Sequence, residues 1–439
     1  MRRYVIIGNG VAGFAAAEAI RAHDISAEIR IFGDDPHGFY SRPGLAYLLS
    51  GEIPERFLFS ETEQNFRDLD VHLQQAVVSR IEPAGHRIYL ENGLTLAYDR
   101  LLVATGSTAK MPPKVPGLNL VGVVKLDNLE DARRILQLAS KAGSAVVVGG
   151  GITALELVEG LVFRRVHTHY FLRGDRYWSN VLDESESHIV EERLVEDGVK
   201  LHFQTELAEI CGEKGWVSGV RTQDGQFIPC RMVGIAIGIR TLKELVDDSG
   251  IKTERGILVD EYLRTSAADV FAAGDVAQFY DPLTGQYVLD SLWGSARAMG
   301  RAAGLNMSGA PVPYLKKTSF NVTRLAGLTT TIIGRVGGGS DADLAGIARG
   351  DSETWRQKAE GVAVEEIVEG VHLRLLIGQE ALQGAIVMGE QALSLPLQDL
   401  IIGRVNVSPI REKLLQPGVA VSEIVNNFWL RWKREYAAQ

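Results

Sequence analysis

Cysteine is scarce: the 439 residues include only Cys211 and Cys230, in no CxxC or CxxxxC arrangement. That excludes a disulfide framework and fits a reducing compartment. No apolar run approaches the roughly 18 residues that a membrane helix needs. Met1-Arg2-Arg3 and the apolar residues after it mimic a signal peptide briefly, but glycines interrupt too early for an h-region, so a cytoplasmic location is expected. Positive charge is not in excess: the net charge is −9, which argues against a nucleic-acid partner. Metal-ligand patterns are also missing. His167 and His169 flank Thr168 on one strand face, with no Cys, Asp or Glu at ligand spacing, so no metal is expected. Hydrophobic content of 46% and charge of 23% suit a globular chain, and the length suggests two or three domains.

What the chain does hold is glycine in patterned clusters. Val5-Ile6-Ile7 runs into Gly8-Asn9-Gly10-Val11-Ala12-Gly13, and an Ala-rich helix follows. Strand, GxGxxG and helix together mark a dinucleotide site. Gly8 allows the tight turn, Gly10 admits a pyrophosphate to the backbone, and Gly13 lets the helix pack on the sheet. The N–H groups of Val11 and Ala12, at the positive end of the helix, face the phosphates. Ala27 to Phe32 reads as the next strand, and an acidic residue at its end would hold a ribose hydroxyl. Asp35 is the first choice and Asp34 the reserve. Arg42 is placed to reach a pyrophosphate oxygen as a charge-assisted donor.

The plan then repeats. Val146-Val147-Val148 leads into Gly149-Gly150-Gly151-Ile152-Thr153-Ala154, a second strand, glycine loop and helix. Each copy is followed by a hairpin with a turn signal, Asn92-Gly93 in the first and Asp224-Gly225 in the second. Each hairpin is followed by a buried strand with small residues at its end, Ala104-Thr105-Gly106 and then Ala236-Ile237-Gly238. Three features in one order at nearly one spacing imply two dinucleotides. A third marker, Val270 to Gly274, delivers Asp275 at a strand end, where it can accept from a ribityl hydroxyl. Trp293 opens a further helix whose N-terminus would face a flavin ring oxygen.

These markers resemble the FAD-dependent pyridine nucleotide-disulfide oxidoreductase superfamily. The nearest group is the NAD(P)H-dependent rubredoxin and ferredoxin reductases with the flavin part of nitrite reductases. The resemblance implies an α/β fold of two Rossmann-like FAD- and NAD(P)-binding domains plus a smaller C-terminal α+β domain. It implies an FAD-binding domain over 1–110 and 245–320, an NAD(P)H-binding domain over 111–244, and an interface domain over 321–439. Val77 joins the flavin-binding set, and Glu156 orients the nicotinamide. Disulfide-type members carry a reactive cysteine near positions 42 to 47, where this chain has none. Many close members have a lysine that pairs with the glutamate of the second glycine loop, and Tyr47 stands in that place.

The implied activity is an NAD(P)H oxidoreductase whose reduced flavin discharges to an external acceptor, an acidic iron–sulfur protein. Arg297, Arg301, Lys316, Lys317 and Arg324 are the expected docking charges. For the pyridine nucleotide, Arg173 and Arg176 follow the strand His169 to Leu172 where an NAD site would have a carboxylate, so NADPH is expected over NADH. Two alternatives stand beside this reading. The C-terminal segment Val421 to Tyr436 is an amphipathic helix carrying Trp429 and Trp432 among basic residues, which would suit a quinone reductase on a membrane surface. Packing on its own domain or on a second subunit explains that helix better. The other alternative is a flavin-bearing electron-transfer subunit of a larger complex.

Overall fold

A computed structural model describes residues 1–282, 285–337, 347, 349–356, 361–368 and 370–437. Two parallel five-stranded sheets carry the repeated plan. The first runs in the order Val270–Ala272, Arg100–Val103, Arg3–Ile7, Glu28–Gly33, Val71–Gln75. The second runs Lys200–His202, His167–Phe171, Ser144–Val148, Met232–Ile235, Val123–Val124. In both, the strand before the glycine loop lies at the centre, buried on both faces, as its unbroken apolar run requires. The strand that closes the first sheet, Val270–Ala272, comes from beyond the whole second sheet.

Each half carries a three-stranded antiparallel sheet with the expected turn. Gly93 (φ +86°) joins Arg87–Leu90 to Thr95–Ala97, and Gly225 (φ +90°) joins Trp216–Thr222 to Phe227–Pro229. The last part of the chain forms a third five-stranded sheet, wholly antiparallel, in the order Phe320–Leu325, Leu328–Gly334, Leu382–Gly389, Val371–Ile377, Val362–Val368. Helices Ser394–Ile402 and Val421–Ala437 cover it. The run Gly337-Gly338-Gly339 reads in sequence as a flexible turn, and Gly338 and Gly339 lie outside the described residues.

The apolar stripe of Val421–Ala437 faces its own sheet. Val421 and Val425 are buried, Phe428, Trp429 and Trp432 pack against the same core, and Trp429 donates its indole N–H to Asp399 at 2.9 Å. This is the self-packing expected for that helix. Among the described residues no helix is long and apolar enough to cross a membrane.

Two helices cross closely. Val11–His23 packs against Trp293–Ser308 through Gly300 and Gly304. A Cβ on Gly300 would stand 2.1 Å from the Ala12 carbonyl oxygen, and one on Gly304 would stand 2.4 Å from that of Ala16. Backbone fills both places, so no rotamer change relieves a side chain there. Gly300→Val should therefore separate the helices and weaken the dinucleotide site expected at their N-termini. The purified variant should show at least a tenfold loss of flavin absorbance per protein, and full retention would disprove the packing argument.

Candidate functional site

The first cleft opens at the carboxyl ends of the first sheet, where ligands of such sheets sit. Gly8 turns with φ +116°, and a Cβ there would stand 2.1 Å from the Ala104 carbonyl oxygen. A Cβ on Gly13 would stand 2.1 Å from the Gly8 oxygen, so Gly13 serves packing below the cleft. A Cβ on Gly10 would meet nothing within 4 Å, which leaves open space at the loop. Gly10 caps the helix without a side-chain hydrogen bond. The first N–H groups, on Val11 and Ala12, are thus left for an anion. That combination fits the pyrophosphate of FAD.

The other expected residues fall into place unevenly. Ala104, Thr105, Gly106, Gly274, Asp275, Arg42 and Trp293 all line the cleft. Asp275 is half-buried and accepts from the Ser107 hydroxyl at 2.6 Å; desolvation raises its carboxyl above the usual range, and Ser107 opposes that. Asp34 and Asp35 both line the cleft, but Asp35 is engaged. Its oxygens accept from the Tyr40 hydroxyl at 2.7 Å and the His37 N–H at 2.9 Å. Asp34 is exposed and makes no hydrogen bond among the described residues. Val77 is off the cleft lining; its carbonyl accepts the Glu91 N–H at 3.0 Å.

The second cleft repeats the construction. Gly149 turns with φ +147°, and a Cβ there would stand 2.1 Å from the Ala236 oxygen. Gly151 caps the helix Ile152–Phe163, again with no side-chain bond. Gly149, Gly151, Arg173, Arg176 and Gly238 line this cleft, while Ala154 is buried beneath the loop. Arg176 donates to Asp175 at 3.2 Å. One lining residue was not foreseen. The N–H of Thr205 donates to the Leu172 carbonyl and that of Gln204 to Gly174, which lays Glu206 beside the strand end. A carboxylate therefore stands near the place where the strand itself supplies none.

The clefts meet at the helix Ile152–Phe163. Ile152, Thr153 and Glu156 line the first cleft although they belong to the second glycine motif. Burial, with Glu159 adding to it and Arg349 opposing it, pushes the Glu156 carboxyl up to about 8. Burial likewise lifts Glu159 to about 7, against the Gly327 N–H that donates to it at 2.9 Å. Tyr47 lines the same wall, its phenol raised by burial and then by Glu156. The cation that acts on Glu156 is Arg349, from beyond the first strands of the third sheet. Arg349 donates to the Asp127 carbonyl at 2.6 Å and pairs with the Asp127 carboxylate. Burial alone would raise Asp127, but Arg349, Thr108 and Arg42 hold it well below the usual range. Asn321, Val322 and Thr323 line the first cleft too, so the third sheet forms one wall.

No cysteine lines either cleft among the described residues. Cys230 is buried, which pushes its thiol up to about 12, and this suits a core residue and not a nucleophile. The docking charges need correction. Lys316 is buried and paired with Asp290 at 2.5 Å, and Arg324 pairs with Glu52 at 2.5 Å. Arg297, Arg301 and Lys317 are exposed. His169 faces His202 across neighbouring strands, Nδ1 to Nε2 at 2.9 Å, and burial lowers it to about 4.

Comparison with known proteins gives a consistent picture. A family model described as pyridine nucleotide-disulphide oxidoreductase matches residues 2–300. The ferredoxin–NAD(+) reductase component of the biphenyl dioxygenase system of Paraburkholderia xenovorans is 33% identical over 351 residues, 80% of this chain and 84% of its own. Subunit epsilon of the NADH-dependent phenylglyoxylate dehydrogenase of Aromatoleum evansii is 24% identical over 97% of this chain and 98% of its own. The crystal structure of a ferredoxin reductase from Rhodopseudomonas palustris superposes with a TM-score of 0.84, covering 97% of this chain and all of that one at 23% identity.

Two outcomes test the site. Asp275→Ala removes a half-buried acceptor at a cost of roughly 1–3 kcal/mol. The variant should release FAD at least fivefold faster in dilution, and an unchanged release rate would contradict the assignment. The second concerns pH. The ordinary glutamate value is 4.5, while folding raises Glu156 to about 8 and Glu159 to about 7. The folded state therefore holds more protons between these values, and stability falls as pH rises from about 4.5 to about 8. Glu159→Gln should flatten that decline in Tm, and an identical pH slope in wild type and variant would refute it.

Proposed function

Because the chain belongs to the pyridine nucleotide-disulphide oxidoreductase family, as an FAD-dependent NAD(P)H oxidoreductase, we propose that it passes electrons from the pyridine nucleotide to a small acidic iron–sulfur carrier. The observation that carries the reading is the meeting of two glycine-built clefts at Ile152–Glu156, with no cysteine on either wall. Bound FAD supplies the chemistry: it accepts a hydride as two electrons and a proton, and can release the electrons one at a time. The protein supplies position and charge. In this reading residues 1–110 with 245–320 hold FAD, 111–244 hold the pyridine nucleotide, and 321–439 close the site. Gly8 to Gly13 and Arg42 hold the pyrophosphate, Asp34 takes the adenosine ribose, and Asp275 the ribityl chain. Glu156, with Arg349 behind it, orients the nicotinamide.

The acceptor reading rests on three things. No cysteine lines the clefts, so electrons have no thiol carrier there. The relative from Paraburkholderia xenovorans is named for ferredoxin. Trp293, which lines the first cleft, is 43% exposed at the protein surface. Arg297 lies 5.7 Å from its ring, and Arg301 follows one turn on. Small iron–sulfur carriers are commonly acidic, so these charges would speed encounter. A cytoplasmic location is part of the proposal, supported by two free cysteines. The membrane-surface quinone reading loses its ground, because the C-terminal aromatics pack on their own sheet. A second reading is favoured by one observation: a relative aligned over 97% of this chain is named as a subunit of a dehydrogenase. Purification with native neighbours separates the two.

Nucleotide choice is revised from the strand-end reading. Arg176 is engaged by Asp175, and Glu206 stands beside the strand end. A carboxylate there accepts from a ribose 2′-hydroxyl and repels a 2′-phosphate. Catalytic efficiency with NADH should equal or exceed that with NADPH, and Glu206→Gln should move the ratio toward NADPH by roughly tenfold, a shift of about 1.4 kcal/mol. A wild-type preference for NADPH, unmoved by Glu206→Gln, would refute this. The function itself is tested with an acceptor panel. Ferredoxin or rubredoxin and ferricyanide should be reduced faster than quinones or oxygen. Carrier reduction alone should slow as salt rises, and more weakly so in Arg297→Ala/Arg301→Ala. A lipophilic quinone as the fastest acceptor would overturn the proposal.

A further inference from the structure

Away from both clefts, the helix Glu184–Glu196 of the second sheet meets the third sheet through a buried cluster of charge. Glu186 is fully buried and binds Arg374 at both oxygens, each at 2.9 Å. The rest of the Arg374 fork donates to the carbonyls of Val181 and Val336. That pair is balanced in charge and its hydrogen bonds are satisfied. The groups around it are not.

Asp183, the N-cap of the helix, uses Oδ1 to accept the Glu186 N–H at 2.9 Å. Its Oδ2 is buried with no hydrogen-bond partner, 3.3 Å from Arg374 Nε. Glu365 lies directly opposite Arg374 in the strand register and faces Asp183. His372 is 3% exposed, and neither ring nitrogen makes a hydrogen bond. One nitrogen of His372 and one oxygen each of Asp183 and Glu365 lie within 4.8 Å of one another. Two carboxylates thus face one another, between elements of two sheets, beside a buried imidazole that makes no hydrogen bond among the described residues and has Glu186 3.3 Å from its Nε2. With Arg374 balanced by Glu186, the three groups carry a formal charge of about −2 when the imidazole is neutral.

We propose that Asp183, Glu365 and His372 bind a divalent cation of borderline softness, of which zinc is the type, and that the ion clamps the second sheet's helix to the third sheet. One imidazole and two carboxylates suit such an ion, which they hold at about 2.0–2.2 Å. A 2+ charge cancels the two carboxylates. The Glu186 oxygen, 3.3 Å from His372 Nε2, is the neighbouring carboxylate that orients a ligating imidazole. Glu365 is exposed, so its side chain can rotate to draw the ligands together. The position explains the role: Arg349 and Asn321 to Thr323 reach the first cleft from the same third-sheet unit, and a clamp would hold that wall.

The test uses the full-length, FAD-loaded protein, stripped with a chelator and titrated with zinc chloride. Calorimetry should show one equivalent bound per chain, and Tm should rise by a few degrees with it. Glu365→Gln, on the exposed strand face, should keep the fold and FAD content but weaken zinc at least tenfold. His372→Gln should abolish both the stoichiometric binding and the Tm rise. His169→Gln, at the His169–His202 pair, should leave both intact. Absence of stoichiometric binding in the wild type would overturn the proposal. So would wild-type zinc affinity in Glu365→Gln and His372→Gln.

Discussion

Backbone touching backbone is the constraint on which this structure depends. At Gly8 and Gly149 the turn off a central strand passes so close to a neighbouring carbonyl that a Cβ would stand 2.1 Å from it. At Gly300 a second helix comes equally close to the first. Side chains at these places would push the glycine loops out of the crevice and tilt the helices that follow. Because they are absent, helix N-termini with uncapped N–H groups converge on the strand ends. The anion sites are then built from main chain, and the side chains around them are free to set specificity and charge.

Charge around the first cleft is organised by burial and by arginine, Arg349 above all, with Arg42 acting beside it on Asp275 and Asp127. Asp275 and Glu156 are both raised by burial, and Arg349 opposes the shift in each case. The same guanidinium holds Asp127 ionised. A single cation from the last third of the chain therefore tempers three carboxyls contributed by the first two sheets. The family resemblance implies a lysine near the position of Tyr47 in many close members; here the cation acting on Glu156 is Arg349, from elsewhere in sequence.

The parts of this design that local chemistry dictates could be read from the residues in order. Gly8-to-Gly13 and Gly149-to-Ala154 announce themselves because strand, turn and helix are contiguous. The hairpins at Asn92-Gly93 and Asp224-Gly225 are equally local, and the amphipathic stripe of the last helix predicted its packing. What could not be read depends on chain crossing. Glu206 reaches the second cleft because Thr205 pairs with Leu172, and nothing near Glu206 signals that partnership. Arg349 sits in a stretch with no periodicity. Lys316 reads as a surface cation until the fold supplies Asp290. Asp35 looked the better ribose ligand because Tyr40, which engages it, does nothing in sequence to show that its ring turns back. Val77 had no local signal, and the structure keeps it off the cleft.

The order in which the first sheet is assembled has a consequence for biosynthesis. Its edge strand, Val270–Ala272, and the helix Trp293–Ser308 that packs on its glycine helix are made after the entire second sheet. The wall supplied by Asn321 to Thr323 and Arg349 is made later still. While the chain is still on the ribosome, the second sheet can complete its strand set and fold first, though it starts later in sequence. The glycine loop at residue 8 must meanwhile wait with one edge of its sheet open. A nascent chain of this kind presents an unpaired strand edge and an apolar helix face for most of its synthesis. Early arrival of the flavin cannot close that gap, because the groups that enclose it have yet to be translated. In that order of synthesis, the lining of the first cleft is complete only once residue 350 has been made.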